Sequence, residues 1–147
     1  MLPQSLKDRY QAFRATTIKF QDLSLLLLRL VLAYGFLNPA LMKVQNMHDI
    51  ISWFGQLGIP LPALNAYLAT ATELTGVVLL TIGLGVRIIT TPLMIVMIVA
   101  IVTVHWVHGF EAGDNGFEIP LYYFLMLFAL HTHGAGKYSV DALLRKK

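Results

Sequence analysis

Residues 63–107 read ALNAYLATATELTGVVLLTIGLGVRIITTPLMIVMIVAIVTVHWV. Two apolar runs, Ala63 to Ile82 and Arg87 to Val107, are separated only by Gly83, Leu84, Gly85 and Val86. Each run has the roughly 20 residues that a helix needs to cross a hydrocarbon core about 30 Å thick. The two glycines between them predict a tight turn. A water-soluble domain could not hide both runs and still cover itself with polar side chains, so this stretch predicts two membrane-spanning helices.

Working outward, a third run extends from Leu23 to Met42 and a fourth, the shortest, from Ile119 to His133. Pro60 and Pro62 stop any helix before Ala63, Gly109, Gly113 and Gly116 mark a loop, and Gly134 with Gly136 ends the fourth run. Pro39 and Pro92 fall inside spans, where neighbouring membrane helices can accommodate them. The segment from Lys43 to Pro62 carries Ile50, Ile51, Phe54 and Leu57 at helical spacing beside Trp53, which predicts a short interfacial helix in the first outer loop. The expected architecture is all-α: a membrane four-helix bundle forming one domain over residues 1–147.

Composition agrees with this reading. The chain is 56% hydrophobic and 13% charged, with a mean hydropathy of +0.66, too apolar for a soluble surface. It has no cysteine, which excludes disulfides, thiolate catalysis and cysteine-ligated clusters. The net charge of +3 does not point to nucleic acid, because the basic residues gather at the two ends and beside the apolar runs. The N-terminal segment (Lys7, Arg9, Arg14, Lys19), the turn with Arg87, and the tail with Lys137, Arg145, Lys146 and Lys147 fall on one side. The loop with Glu111, Asp114 and Glu118 falls on the other. Basic segments remain cytoplasmic, so both termini are expected inside. The first twenty residues lack the apolar core of a cleavable signal, and the first span is expected to serve as the insertion signal.

The residues that break the apolar pattern carry the functional information. Arg29 lies about two turns into the first span, and an arginine at mid-helix costs about 2.5–3.5 kcal/mol on insertion scales. It must face the bundle interior or snorkel to the headgroups. Glu73 sits near the centre of the second span on a face with Ala66, Ala69 and Gly76. It is either a structural core acid or a carboxylate that handles protons or a cofactor, and Arg29 is its expected partner. Arg29, Ala33, Phe36, Ala40 and Lys43 form one stripe about 21 Å long.

In the third span Arg87, Thr90, Met94, Met97, Ile101, His105 and His108 share a face; in the fourth, Glu118, Tyr122, Met126, Ala129 and His133 do. Thioether and imidazole together suit Cu(I), though methionine is also an ordinary core filler. His105, His108, Glu111, Asp114 and Glu118 could form a metal site after folding, or simply a wet polar loop. A haem between His105 and His131 is excluded, since they fall about 20 Å apart in depth.

The run from Arg29 through Gly35 and Phe36 to Lys43, then Phe54, Gly58, Ile59 and Pro60, resembles the opening of the DoxX-like family. Glu73-Leu74 before Gly76, Gly83-Leu84-Gly85 leading to Arg87, and Gly134, Ala135 and Gly136 before Ser139 and Asp141 are similar to it as well. The resemblance, to DoxX/DoxD-type small integral membrane proteins, covers about Leu25 to Asp141. It implies a bacterial or archaeal inner-membrane protein linked to redox chemistry. Relatives of this kind include small subunits of quinol-oxidase and thiosulfate:quinone oxidoreductase complexes, members of oxidative-stress assemblies, and companions of copper-binding peptide synthesis.

Three functions follow as expectations. The first is an accessory membrane subunit of a redox assembly, with quinone as the implied cofactor and oxidoreductase subunits as partners. The second is a maturation or handling protein for copper-binding peptides. The third is a scaffold or a homo-oligomeric transporter, since four spans leave little room for a path within one chain. Arg29, Lys43, Glu73, Arg87 and Tyr122 are the candidate ligand-facing residues.

Overall fold

The computed structural model describes residues 4–145; Lys146 and Lys147 of the basic tail lie outside them. Among the described residues every regular element is helical. A helix α1 (Gln4–Ile18) leads through a turn into α2 (Gln21–Gln45), then α3 (Met47–Gln56) and α4 (Pro62–Ile82). Helix α5 (Val86–Ala100) continues through a π turn (Ile101–His105) and a 3-10 turn (Trp106–His108). A loop with one further 3-10 turn precedes α6 (Glu118–His133), and α7 (Val140–Arg145) ends the described chain.

Helix α2 packs on α4, α4 on α5, α5 on α6, and α6 on α2. Between them lies a core of Leu32, Phe36, Leu80, Val86, Leu93, Leu127 and Leu130. The outward positions are also apolar: Ile88 is 80% exposed and Val102 65% exposed. Water would penalise such a surface heavily, whereas acyl chains accept it. The stretches Leu6–Gln45, Pro62–Ile82 and Val86–His108 are long and apolar enough to cross a membrane. Helix α6 has 16 residues, about 24 Å at 1.5 Å per residue, somewhat less than the hydrocarbon thickness.

The helix ends follow local rules. Gly83 closes α4 in the left-handed conformation at φ 73°, its N–H bonded to the Leu79 carbonyl at 2.8 Å, the usual device for stopping a helix. Gly85 turns the chain into α5 at φ 58°. Pro120 sits in the first turn of α6, where its missing N–H has no intrahelical partner to lose. Helix α3 forms as expected, but its apolar face does not turn to lipid. Ile50 and Phe54 are buried against Ala66 of α4, with Ile51 and Ala69 beside them. A protein surface was within reach, and periodicity alone cannot tell protein from lipid.

The start of α2, the α4–α5 turn and the end of the chain meet at one end of the helices. The Lys137 N–H donates to Asp22 Oδ1 at 2.9 Å, and the Asp141 N–H donates to the Gly83 carbonyl at 3.0 Å. In return the Asp141 carboxylate accepts from the Gly85 N–H at 2.8 Å and from the Val86 N–H at 3.2 Å. Asp141 thus caps α5 from a distant part of the chain. Asp141→Ala should cost about 1–2 kcal/mol, the range for losing a helix cap. A lowered thermal midpoint in detergent would register that cost, and an unchanged midpoint would contradict the capping role.

Candidate functional site

The site begins with the α2 stripe. Ala33, Phe36 and Ala40 are buried between helices, and this face brings Lys43 over α4. Lys43 Nζ lies 3.0 Å from Glu73 Oε1 and 2.8 Å from Oε2. The side chains are 12% and 3% exposed respectively. Of the ion pairs among the described residues, this one is enclosed by apolar helices. Lys137–Asp22 and His48–Asp49 each have at least one partner in the open.

The expected pairing of Glu73 with Arg29 is therefore corrected, and helix direction supplies the reason. Arg29 contacts α4 at Leu80, seven residues beyond Glu73, or about 10 Å along the axis. Lys43 is fourteen residues, about 21 Å, beyond Arg29 on α2. Glu73 thus lies between the two cationic residues along the α2–α4 pair. Side chains lean toward the N-terminus of their own helix. On the antiparallel pair α2 and α4, Lys43 and Glu73 lean toward each other, whereas Arg29 leans away from Glu73. Lean decides the pairing.

Arg29 instead forms a clasp at the end where the start of α2, the α4–α5 turn and the segment after α6 meet. It is fully buried, with Nη1 donating to the Leu80 carbonyl at 3.0 Å and Nη2 donating to the Tyr138 carbonyl. Its Nε has no partner among the described residues. The guanidinium ties α2 to the end of α4 and to the segment following α6. Snorkelling does not occur, because that returning segment covers the side chain.

Arg87 is exposed on α5 and donates from Nη2 to the Thr132 carbonyl at 3.0 Å. His131 Nδ1 lies 3.1 Å from the Arg87 carbonyl oxygen and 3.3 Å from the buried Thr90 hydroxyl. These contacts form a polar seam between α5 and α6. Tyr122 is not a buried candidate: it is 45% exposed, and its hydroxyl donates to Glu118 Oε1 at 2.9 Å. The interior face of α6 is the neighbouring one with Pro120, Leu127 and Leu130. Thus α2 and α4 supply Lys43 and Glu73 to one point, while Arg29, Arg87 and Tyr122 stand elsewhere.

Residues 24–106 match the sequence model of the DoxX family. The chain belongs to the DoxX family. Arg29, Lys43, Glu73 and Arg87 all fall inside the matched segment, while Tyr122 and Asp141 fall after it. Across 131 residues the chain is 34% identical to a Haemophilus influenzae protein described only as "Uncharacterized protein", covering 84% of both chains. Over 110 residues it is 36% identical to "Putative oxidoreductase CatD" of Bacillus subtilis, covering 75% of this chain and 77% of that one. No solved structure matches. Membrane-crossing helices in a DoxX protein make it a multi-pass membrane protein.

The expected metal ligands of this DoxX protein are corrected by the geometry of its loop. Among the described residues no three histidine or carboxylate side chains come together in a way that could hold a metal. His105 Nδ1 lies 2.7 Å from the Asn115 carbonyl oxygen. Glu118 accepts from the Ala112 N–H at 3.0 Å as well as from Tyr122. His108, Glu111 and Asp114 are exposed. His105 and Glu118 thus bind their own loop, and the five residues do not gather around a common point. Across the same loop Trp106 stacks on Phe117 with ring centroids 5.4 Å apart.

Proposed function

We propose that this DoxX protein is an accessory membrane subunit of an oxidoreductase assembly, with the Lys43–Glu73 pair facing a quinone-type ligand. One observation carries the reading: a lysine–carboxyl pair sits between α2 and α4 with its lysine partly exposed. Burying such a pair is expensive, and replacing it by apolar residues is often neutral or stabilising. Intramembrane charges generally mark sites of function. Lys43 can donate to a carbonyl oxygen, and Glu73 can accept from a hydroxyl, the two groups that a quinone and its quinol present. The oxidoreductase name carried by a relative 36% identical to this chain supports the same class.

In this reading the chain is a single domain, and α6 is a fourth crossing, completing a membrane four-helix bundle. The protein resides in the cytoplasmic membrane with both termini inside, following its basic segments. The copper reading has no support from the arrangement of side chains.

Purification of the full chain in mild detergent tests the proposal. Bound quinone should be extractable from the native protein and reduced in Lys43→Met, with oxidoreductase subunits co-purifying. Absence of both quinone and such subunits, with unchanged quinone-dependent respiration in a deletion strain, would defeat it.

A further inference from the structure

Helix α1 contributes no described residue to the buried core. From Leu6 to Phe20 every residue is exposed. Leu6, Tyr10, Phe13 and Thr17 recur at spacings of four, three and four, with Phe20 three further on, so they share one face. Tyr10 is 67% exposed and Phe13 68% exposed, large side chains that water would not favour. Lys7 and Arg14 border this face on one side and Arg9 on the other. The single acid, Asp8, lies on the opposite face with Lys19, Ala12 and Ala15.

The helical hydrogen-bond pattern is interrupted where α1 meets α2. The Lys19 and Phe20 N–H groups bond to Thr16 and Thr17 at 3.2 and 3.0 Å, three residues back rather than four. Phe20 has ψ −5°, well away from the usual helical value. Immediately beyond, Leu23 and Leu27 begin the outward apolar surface of α2, 42% and 53% exposed. The apolar face of α1 is therefore continuous in sequence with a surface made for acyl chains.

We infer that α1 is a membrane-surface helix whose partner is an anionic lipid leaflet. The apolar face supplies the burial, and the cations beside it meet lipid phosphates and acidic headgroups. Four cations against one acid over Lys7–Lys19 give the charge complementarity that singles out lipid rather than a second copy of this equally basic chain. The interruption at Lys19–Phe20 is the point at which α1 can turn away from the direction of α2 to lie along the leaflet. This inference does not depend on the redox proposal.

The absence of native cysteine makes the test direct. Spin labels are placed in the full chain at Tyr10→Cys and Ala12→Cys, one chain per nanodisc, with collision by oxygen and by a water-soluble nickel chelate as readout. In phosphatidylglycerol-containing discs the Tyr10 label should favour oxygen several-fold more than the Ala12 label. The contrast should collapse in phosphatidylcholine discs, and also in a Lys7→Gln, Arg9→Gln, Arg14→Gln variant. Equal nickel access at both labels in the acidic discs overturns the inference and leaves the face to a protein partner. A contrast that persists in neutral lipid or in the triple variant overturns the role of anionic headgroups.

Discussion

Lys43→Met should destabilise the protein by about 3–5 kcal/mol, because it leaves the Glu73 carboxylate enclosed without its counter-charge. Glu73→Leu should do comparable damage from the other side, stranding an ammonium whose two short contacts are both to that carboxylate. The double variant, with an apolar residue at each position, should recover most of the loss, since removing a buried pair outright avoids the desolvation penalty of both ions. Unfolding of the four proteins in mixed micelles closes the cycle. Additive losses would mean that the two residues do not interact. The corresponding cycle on Arg29 and Glu73 should show coupling near zero. If the double variant folds well yet loses bound ligand, the pair is held for function rather than for stability.

A second large effect is expected at the α4–α5 turn. Gly83→Ala should cost more than about 3 kcal/mol. The left-handed backbone alone contributes about 1–2 kcal/mol for a residue with a Cβ. The new methyl would also enter space held by the Arg29 guanidinium and the Ser139 Cβ. Moving Arg29 weakens its bonds to two carbonyls, each worth about 1.5–3 kcal/mol because the donor is charged. Gly85→Ala is the built-in comparison: its φ is also positive, but no atom occupies the space around an added Cβ. It should show the backbone cost alone. Equal losses at the two glycines would remove the steric argument and with it the tight fit around Arg29.

Much of this was legible in the sequence, for specific reasons. The spans announced themselves because lipid imposes a length on apolar runs, and the stripe from Arg29 to Lys43 because helical periodicity is local. The partner of Glu73 was not legible: it depends on the relative register of α2 and α4 and on which way side chains lean. The inward face of α6 was misread for another cause, although Thr90 and Met97 of the α5 face are buried. A helix that is apolar all round has no polar side to mark its outside, so methionine and histidine drew attention by chemistry rather than by position. Tyr122 was placed inward on the same faulty basis. Helix α3 was foreseen, but amphipathicity reports only that a face needs an apolar neighbour. Helix α1 carried its own periodic signal in Leu6, Tyr10 and Phe13, eclipsed by the basic residues among them.

The clasp around Arg29 also has a consequence for biosynthesis. This residue enters the membrane in α2, yet one of its two acceptors, the Tyr138 carbonyl, is translated 109 residues later. Until the ribosome has delivered that residue, α2 waits with an incompletely satisfied cation. Shortening the chain ahead of Tyr138 would remove few apolar contacts, yet it should leave a protein that inserts and is then cleared by quality-control proteases.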